Sequence, residues 1–271
     1  HSAIVGFLSL NSNCLFTAEK KPEGLELVTP RSWEDLSYAI YEYEKLDIPV
    51  NMSLIGGYIQ SPAIASEFAG YYAIFRKFGA IVSGDEVENG SLKDIDLSES
   101  NFEEKFALSE IMRAKAVKIA DKAMAKEEAA DAALKAAEAE NVNVCVKELL
   151  SKYKSGALSR YQKSEYRAVI EGLSSVNPRD FAAKYAADCE EYGQSHVKKI
   201  ENVLCFAEKS LGKGQELTSS VTSMLTSENF VGFIAKFGCP KFYELNGELL
   251  LGGGDKARDI ARRAIKAASG K

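Results

Sequence analysis

From Thr29 onward the apolar residues Trp33, Leu36, Ile40 and Tyr43 recur at spacings of three and four, while Glu34, Asp35, Glu42 and Glu44 fall elsewhere around the same turns. That period belongs to an amphipathic helix laid on a core. Asp47 to Pro49 break it, a short turn over 51–60 follows, and Ser61-Pro62 supply the cap and first-turn proline of a second helix ending at Gly79. Ahead of both, residues 3–10 (AIVGFLSL) form a short apolar run, and 13–29 an irregular connection around KKPEG. Residues 1–82 thus predict one compact helical domain.

Residues 83–101 (SGDEVENGSLKDIDLSESN) are polar, acidic and rich in turn formers, so they read as a linker. From 102 to 140 the chain is dense in Ala, Glu and Lys without Pro or Gly, which predicts one long helix or a closely spaced pair. Phe102, Phe106, Ile111, Val117 and Ile119 populate its first half. The second half offers mostly alanine, which can pack closely on another helix or lie solvated. Further helices are expected at 143–154, 159–175, 178–211, 215–236 and 254–268. No long alternation of period two occurs, and only FYELNGELLL (242–251) carries a hairpin signal, with Asn246-Gly247 between apolar runs. The fold class is all-α, with a helical domain over 1–82, a linker over 83–101 and a second helical domain over 102–271.

Composition narrows the functional classes. A net charge of -5 and 46% apolar residues give a sizeable core and no broad excess of cations, so nucleic acid and acidic membranes are not expected partners. Five scattered cysteines without a C-x-x-C pair, and no apolar run long enough to span a bilayer, place the chain in a reducing cytoplasm. It begins at His1 and its first methionine is Met52, inside a periodic segment, so it reads as a piece of a longer protein.

The first helix opens with Thr29 as cap and Pro30 in its first turn, and then places a cation, Arg31, where the helix dipole is positive. Such a cation costs some tenths of a kcal/mol to about 1 kcal/mol unless an anion offsets it. Either the guanidinium pairs with Glu34, Asp35 or another local acid, or it awaits an anionic ligand.

The stretch around it, VTPRSWEDLSYAIYEYEKLDIPV and then YIQSPAIASEFAGYY, resembles the C-terminal lid of MoxR-like AAA+ ATPases over roughly residues 1–82. The resemblance implies that Thr29, Pro30 and Arg31 face bound nucleotide and that Arg31 is the second-sensor arginine, reaching the γ-phosphate of ATP held with Mg²⁺ by a preceding core domain. A guanidinium beside helix N–H groups is a physical receptor for phosphate oxygens. The chain itself has no G-x-x-x-x-G-K-[ST], and no strand ending in paired acids for Mg²⁺, so it is not a whole ATPase. The partners implied are the AAA+ core of the same or a neighbouring subunit, in a homo-oligomer when full length, and a client protein. The alternative is a non-enzymatic helical scaffold that keeps the lid fold without nucleotide.

Other motifs carry less. LGGGDKARDIARR (251–263) lacks a Lys-Ser/Thr pair, and Asp255 reads as an acidic helix cap that repels phosphate. His196 is seven residues from Cys189 and nine from Cys205, and a helix turns the two cysteines to differing faces, so an interfacial or surface role is expected, and no metal site. The adjacent pairs Glu103-Glu104, Glu127-Glu128 and Glu190-Glu191 diverge by about 100° around a helix and read as solvated faces. Lys256, Arg258, Arg262, Arg263 and Lys266 fall in the expected last helix, where they complement its dipole.

Overall fold

The structure, a computed structural model, describes residues 1–250 apart from 22, 23, 83 and 176. The helix expected at 254–268, with its glycine-rich entry and basic residues, lies outside the described residues. Eleven α-helices and one two-stranded ribbon are described, so the all-α expectation holds.

Helix α1 (Ser2–Leu10) leads through a 3-10 turn (Ser12–Leu15) into a hairpin of β1 (Thr17–Lys21) and β2 (Gly24–Val28), antiparallel with Thr17 opposite Val28. This corrects the irregular connection expected over 13–29. Then come α2 (Pro30–Lys45), α3 (Met52–Tyr58) and α4 (Pro62–Ile81). Apolar faces of α1, α2 and α4 meet around Phe7, Trp33, Leu36, Ile40 and Phe68, each at most 2% exposed.

The alanine-rich region is one helix, α5 (Phe102–Glu138). It starts on a reciprocal cap in which the Asn101 carboxamide accepts from Glu104 N–H at 2.9 Å and the Glu104 carboxylate accepts from Asn101 N–H at 3.3 Å. Its second half packs closely: Ala129, Ala133, Ala136 and Ala137 are buried with Leu158, Tyr166, Val169, Leu173 and Ala182. Small side chains let these helix backbones approach, and the residues opposite them supply the volume. These partners come from the loop after α6 (Val142–Lys154), from α7 (Arg160–Ser175) and from α8 (Pro178–Leu211), with Val146 and Leu149 of α6 partly buried against them. Helix α8 runs antiparallel to α5. Cys189 meets Glu127 at one end, and farther along Glu88 lies between Lys115 and Lys199. A Cβ on Gly193 would overlap the Phe237 ring, so glycine there sets how closely α8 meets α10.

The single helix expected over 215–236 is two, α9 (Gln215–Met224) and α10 (Glu228–Phe237), parted where the Ser227 hydroxyl caps Phe230 N–H at 3.3 Å. The hairpin expected at 242–251 is instead the helix α11 (Pro240–Leu250), with Phe242 and Leu245 buried one turn apart.

Segment 84–101 also differs from a free linker. Val87 and Leu97 are buried in the same core cluster as Phe68 on one side and Leu204 on the other. Polar contacts add to this. The Lys115 ammonium donates to the Val82 carbonyl at 3.3 Å and the Gly84 carbonyl at 2.9 Å and pairs with Glu88 at 3.4 Å, while Asn202 donates to the Glu88 carbonyl at 2.8 Å. Ile95 N–H reaches the Ser210 hydroxyl at 3.0 Å. The acidic segment is therefore a strap docked on α5 and α8. Lys115→Ala is expected to remove about 2 kcal/mol of local stability, because charge-assisted hydrogen bonds are lost and carbonyls are left without a donor. Limited trypsin digestion should then cut faster at Lys93. Unchanged cutting would mean that Val87 and Leu97 alone hold the strap.

Candidate functional site at the start of helix α2

Thr29 is the N-cap of α2. Its hydroxyl accepts from Ser32 N–H at 3.1 Å, and the Ser32 hydroxyl accepts from Thr29 N–H at 3.0 Å, a reciprocal cap closed by serine. Pro30 begins the helix without an N–H to satisfy. No acidic residue stands in this first turn. Arg31 projects from it with 72% of its side chain exposed, its Nη1 3.2 Å from Glu34 and its Nη2 3.1 Å from Asp35. The local-acid reading of Arg31 is thus what the chain by itself adopts. Exposed pairs of this kind are worth about 0–1 kcal/mol each, so they hold the guanidinium in place only weakly.

The backbone beneath Arg31 is fixed. Trp33, two residues on, donates its indole N–H to the Cys14 carbonyl at 2.9 Å and packs on Phe7 and Phe68 at ring separations of 5.7 and 5.3 Å. At the far end of α2, Glu44 accepts from the Tyr72 hydroxyl at 2.9 Å and pairs with Arg76 at 3.3 Å and His1 at 3.2 Å. Burial would raise its carboxyl, but hydrogen bonds from His1 and Tyr72 and the charge of Arg76 hold it below the usual carboxylate range. Burial, with Glu44 beside it, pushes the Tyr72 phenol up. The helix is clamped at both ends, and its N-terminal cation is left outside. Sequence reasoning found Thr29, Pro30 and Arg31 but not the Glu44 cluster, since residues 28, 32 and 43 apart on different elements share no spacing signal.

The remaining candidates resolve into structure. Glu127 and Glu128 diverge as expected, and both are engaged: Glu127, largely covered, accepts from the Cys189 thiol and pairs with Lys236, while the part-exposed Glu128 gathers Lys152, Gln162 and Tyr166. All five cysteines are free thiols, and among the described residues no cluster of His, Cys, Asp and Glu has metal-binding geometry. No described helix is long and apolar enough to cross a membrane.

His196 is buried rather than at the surface, stacked at 4.0 Å on Tyr192, with Nδ1 2.8 Å from the Tyr192 carbonyl. Burial lowers its affinity for a proton; the Tyr192 carbonyl and Glu88 oppose this, and Lys199 and Lys122 reinforce it. A folded-state pKa below the unfolded one means that acidification protonates the unfolded chain first. Stability is thus expected to fall as pH drops below about 6.5, by at most about 1.4 kcal/mol per pH unit from this residue. Thermal melts at pH 7.5 and 5.5 check this: His196→Gln should shrink the difference, and an unchanged difference would assign it to other groups.

Comparison of the chain with protein-family models, with curated proteins and with solved structures finds no match.

Proposed function

We propose that this chain is the C-terminal, nucleotide-sensing and partner-coupling portion of a MoxR-like AAA+ ATPase that remodels proteins in the cytoplasm. One observation carries the reading: Arg31 stands exposed at the capped N-terminus of a helix clamped by Trp33 and Glu44, held only by two weak surface pairs. A phosphate arriving there meets a guanidinium and a helix N-terminus together, and can displace Glu34 and Asp35 at small cost. ATP and Mg²⁺ are bound by the core domain of the same or a neighbouring subunit, and this chain supplies the sensing cation. The long α5, packed on α1 and α4 at one end and on α7 at the other, is the element that would carry lid rotation to a client protein.

The second reading, a helical scaffold that never meets nucleotide, is favoured by the same ion pairs, which give Arg31 a partner without any ligand. Two observations separate them. The reading frame ahead of His1 should encode a P-loop and an acidic Mg²⁺-binding strand, and the isolated chain should hydrolyse ATP no faster than buffer while the whole protein turns it over. A reading frame without those motifs, or a whole protein without ATPase activity, would leave the scaffold.

A further inference from the structure

A cleft of about 460 Å³ lies between the C-terminal half of α1, the first half of α4 and the first turn of α5. Phe7, Leu10 and Ile74 give it apolar walls, and Glu67 of α4 and Glu103 of α5 line it as well. Both acids are exposed, neither forms an ion pair among the described residues, and no Lys or Arg lines the cleft. Their neighbours on α5, Glu104 and Glu110, are by contrast taken by Lys77 and Arg113. Helix α1 also ends here. Asn11 caps it, its N–H and carboxamide donating to the Phe7 carbonyl at 2.9 and 3.2 Å, and its last turn holds no basic residue to oppose the negative end of the dipole.

Two further observations set this cleft apart from a packing gap. Tyr71, which lines it, is 4% exposed, and its hydroxyl makes no hydrogen bond. Native folds rarely leave a buried hydroxyl without a partner. The side chain reaches from α4 across the floor of the cleft, with its hydroxyl beside Gly6 of α1, where a Cβ would overlap it. Burial, and then the charges of Glu110 and Glu103, push the phenol up, so the oxygen stays protonated within electrostatic reach of a carboxylate that lines the cleft. The second observation is Gly70, in the interior of α4, where glycine is a poor helix former. A Cβ there would meet nothing within 4 Å, and the open space belongs to the cleft that Gly70 lines.

We propose that the cleft binds an organic cation, an ammonium or guanidinium group on a short alkyl stem. The stem lies against Phe7, Leu10 and Ile74, the charge is shared by Glu67 and Glu103, and an N–H is donated to the Tyr71 hydroxyl. A hard metal ion is the poorer occupant, because two carboxylates fall short of the roughly six oxygens that such an ion takes and the apolar walls supply none. An anion would meet only like charge. The cation is carried either by a free amine or by a Lys or Arg side chain of another protein, and the chemistry of recognition is the same. Binding there requires neither Arg31 nor nucleotide.

Nuclear magnetic resonance titration of the chain in about 0.1 M salt tests it, with n-butylammonium, n-butylguanidinium, neutral n-pentanol and the capped peptide acetyl-Gly-Arg-Gly-amide as probes. The cations should saturate shifts of the Leu10, Gly70 and Glu103 amides with Kd on the order of 1 mM, at least about tenfold tighter than n-pentanol. Saturation by the peptide at similar concentration assigns the cation to a protein side chain, and saturation by the free cations alone assigns it to a small amine; either upholds the site. Gly70→Leu fills the cleft without removing a charge and should abolish the shifts at Leu10 and Glu103. Glu67→Gln/Glu103→Gln should weaken binding at least about tenfold and Tyr71→Phe about fivefold, with thermal melts confirming that each variant folds. The proposal is overturned by the absence of saturable shifts at these amides up to about 50 mM, by n-pentanol binding as tightly as the cations, or by affinity that all three variants leave unchanged.

Discussion

Trp33→Ala is expected to destabilise the protein by about 4 kcal/mol. The side chain is 2% exposed, so its removal opens a cavity between Phe7 and Phe68 as well as forfeiting its transfer free energy, and large-to-small aromatic substitutions of this kind cost about 3–5 kcal/mol. It also takes the indole N–H from the Cys14 carbonyl, whose loss adds about 1 kcal/mol where the site collapses poorly. In a domain of this size that corresponds to a fall in melting temperature of roughly 10 °C or more. Trp33→Phe keeps most of the ring volume and loses only the hydrogen bond and part of the contact, so it should cost about 1–2 kcal/mol. Trp33 is the only tryptophan in the chain, and its fluorescence in the wild type reports directly on the docking of α2. A Trp33→Ala protein melting within a degree or two of wild type would show that α2 is held by Leu36 and Ile40 alone.

The parts of the fold legible in the sequence are those in which the burial pattern matches one local period. Trp33, Leu36 and Ile40 on α2, and the cap at Thr29, follow from spacing and side-chain chemistry that a single helix dictates. The β1–β2 ribbon escaped notice because a strand announces itself by burying alternate residues. Every residue of β1 from Ala18 to Lys21 is exposed, and Val28 is buried at the end of β2. The reverse error at 242–251 has the same root. Asn246-Gly247 is a strong turn signal between strands, but Phe242 and Leu245 are spaced for a helix, and burial against Phe230 decided the outcome. The strap was missed because a few scattered apolar residues, chiefly Val87 and Leu97, and polar partners on distant helices, Lys115, Asn202 and Ser210, suffice to dock a polar segment. Its composition reports solvation of the other side chains, not the path of the backbone. At the candidate site, a cation in the wrong half of a dipole was visible from the sequence, as were the two acids that meet it; the clamp at Glu44 was not, because it is made by α4.

Arg31→Ala in the full-length protein is expected to spare the fold and cost activity. Removing a cation from the positive end of a helix dipole relieves about 0.3–1 kcal/mol of repulsion, while the exposed pairs with Glu34 and Asp35 that go with it were worth about as much. The two nearly cancel, so the melting temperature should move by no more than about 2 °C. ATP hydrolysis should fall on the order of tenfold to a thousandfold, because a charge-assisted contact to a phosphate that strengthens in the transition state is worth a few kcal/mol. Arg31→Lys should recover only part of this, since one ammonium cannot reproduce the planar fork that meets two phosphate oxygens at once. Glu34→Gln/Asp35→Asn supplies the converse: freeing the guanidinium from its resting partners should leave hydrolysis intact and tighten nucleotide binding slightly. Melting temperature beside ATPase rate decides between the readings. An Arg31→Ala protein that melts several degrees lower yet hydrolyses ATP at the wild-type rate would make Arg31 a structural partner of Glu34 and Asp35, and the chain a scaffold in which the lid-like helix no longer attends to nucleotide.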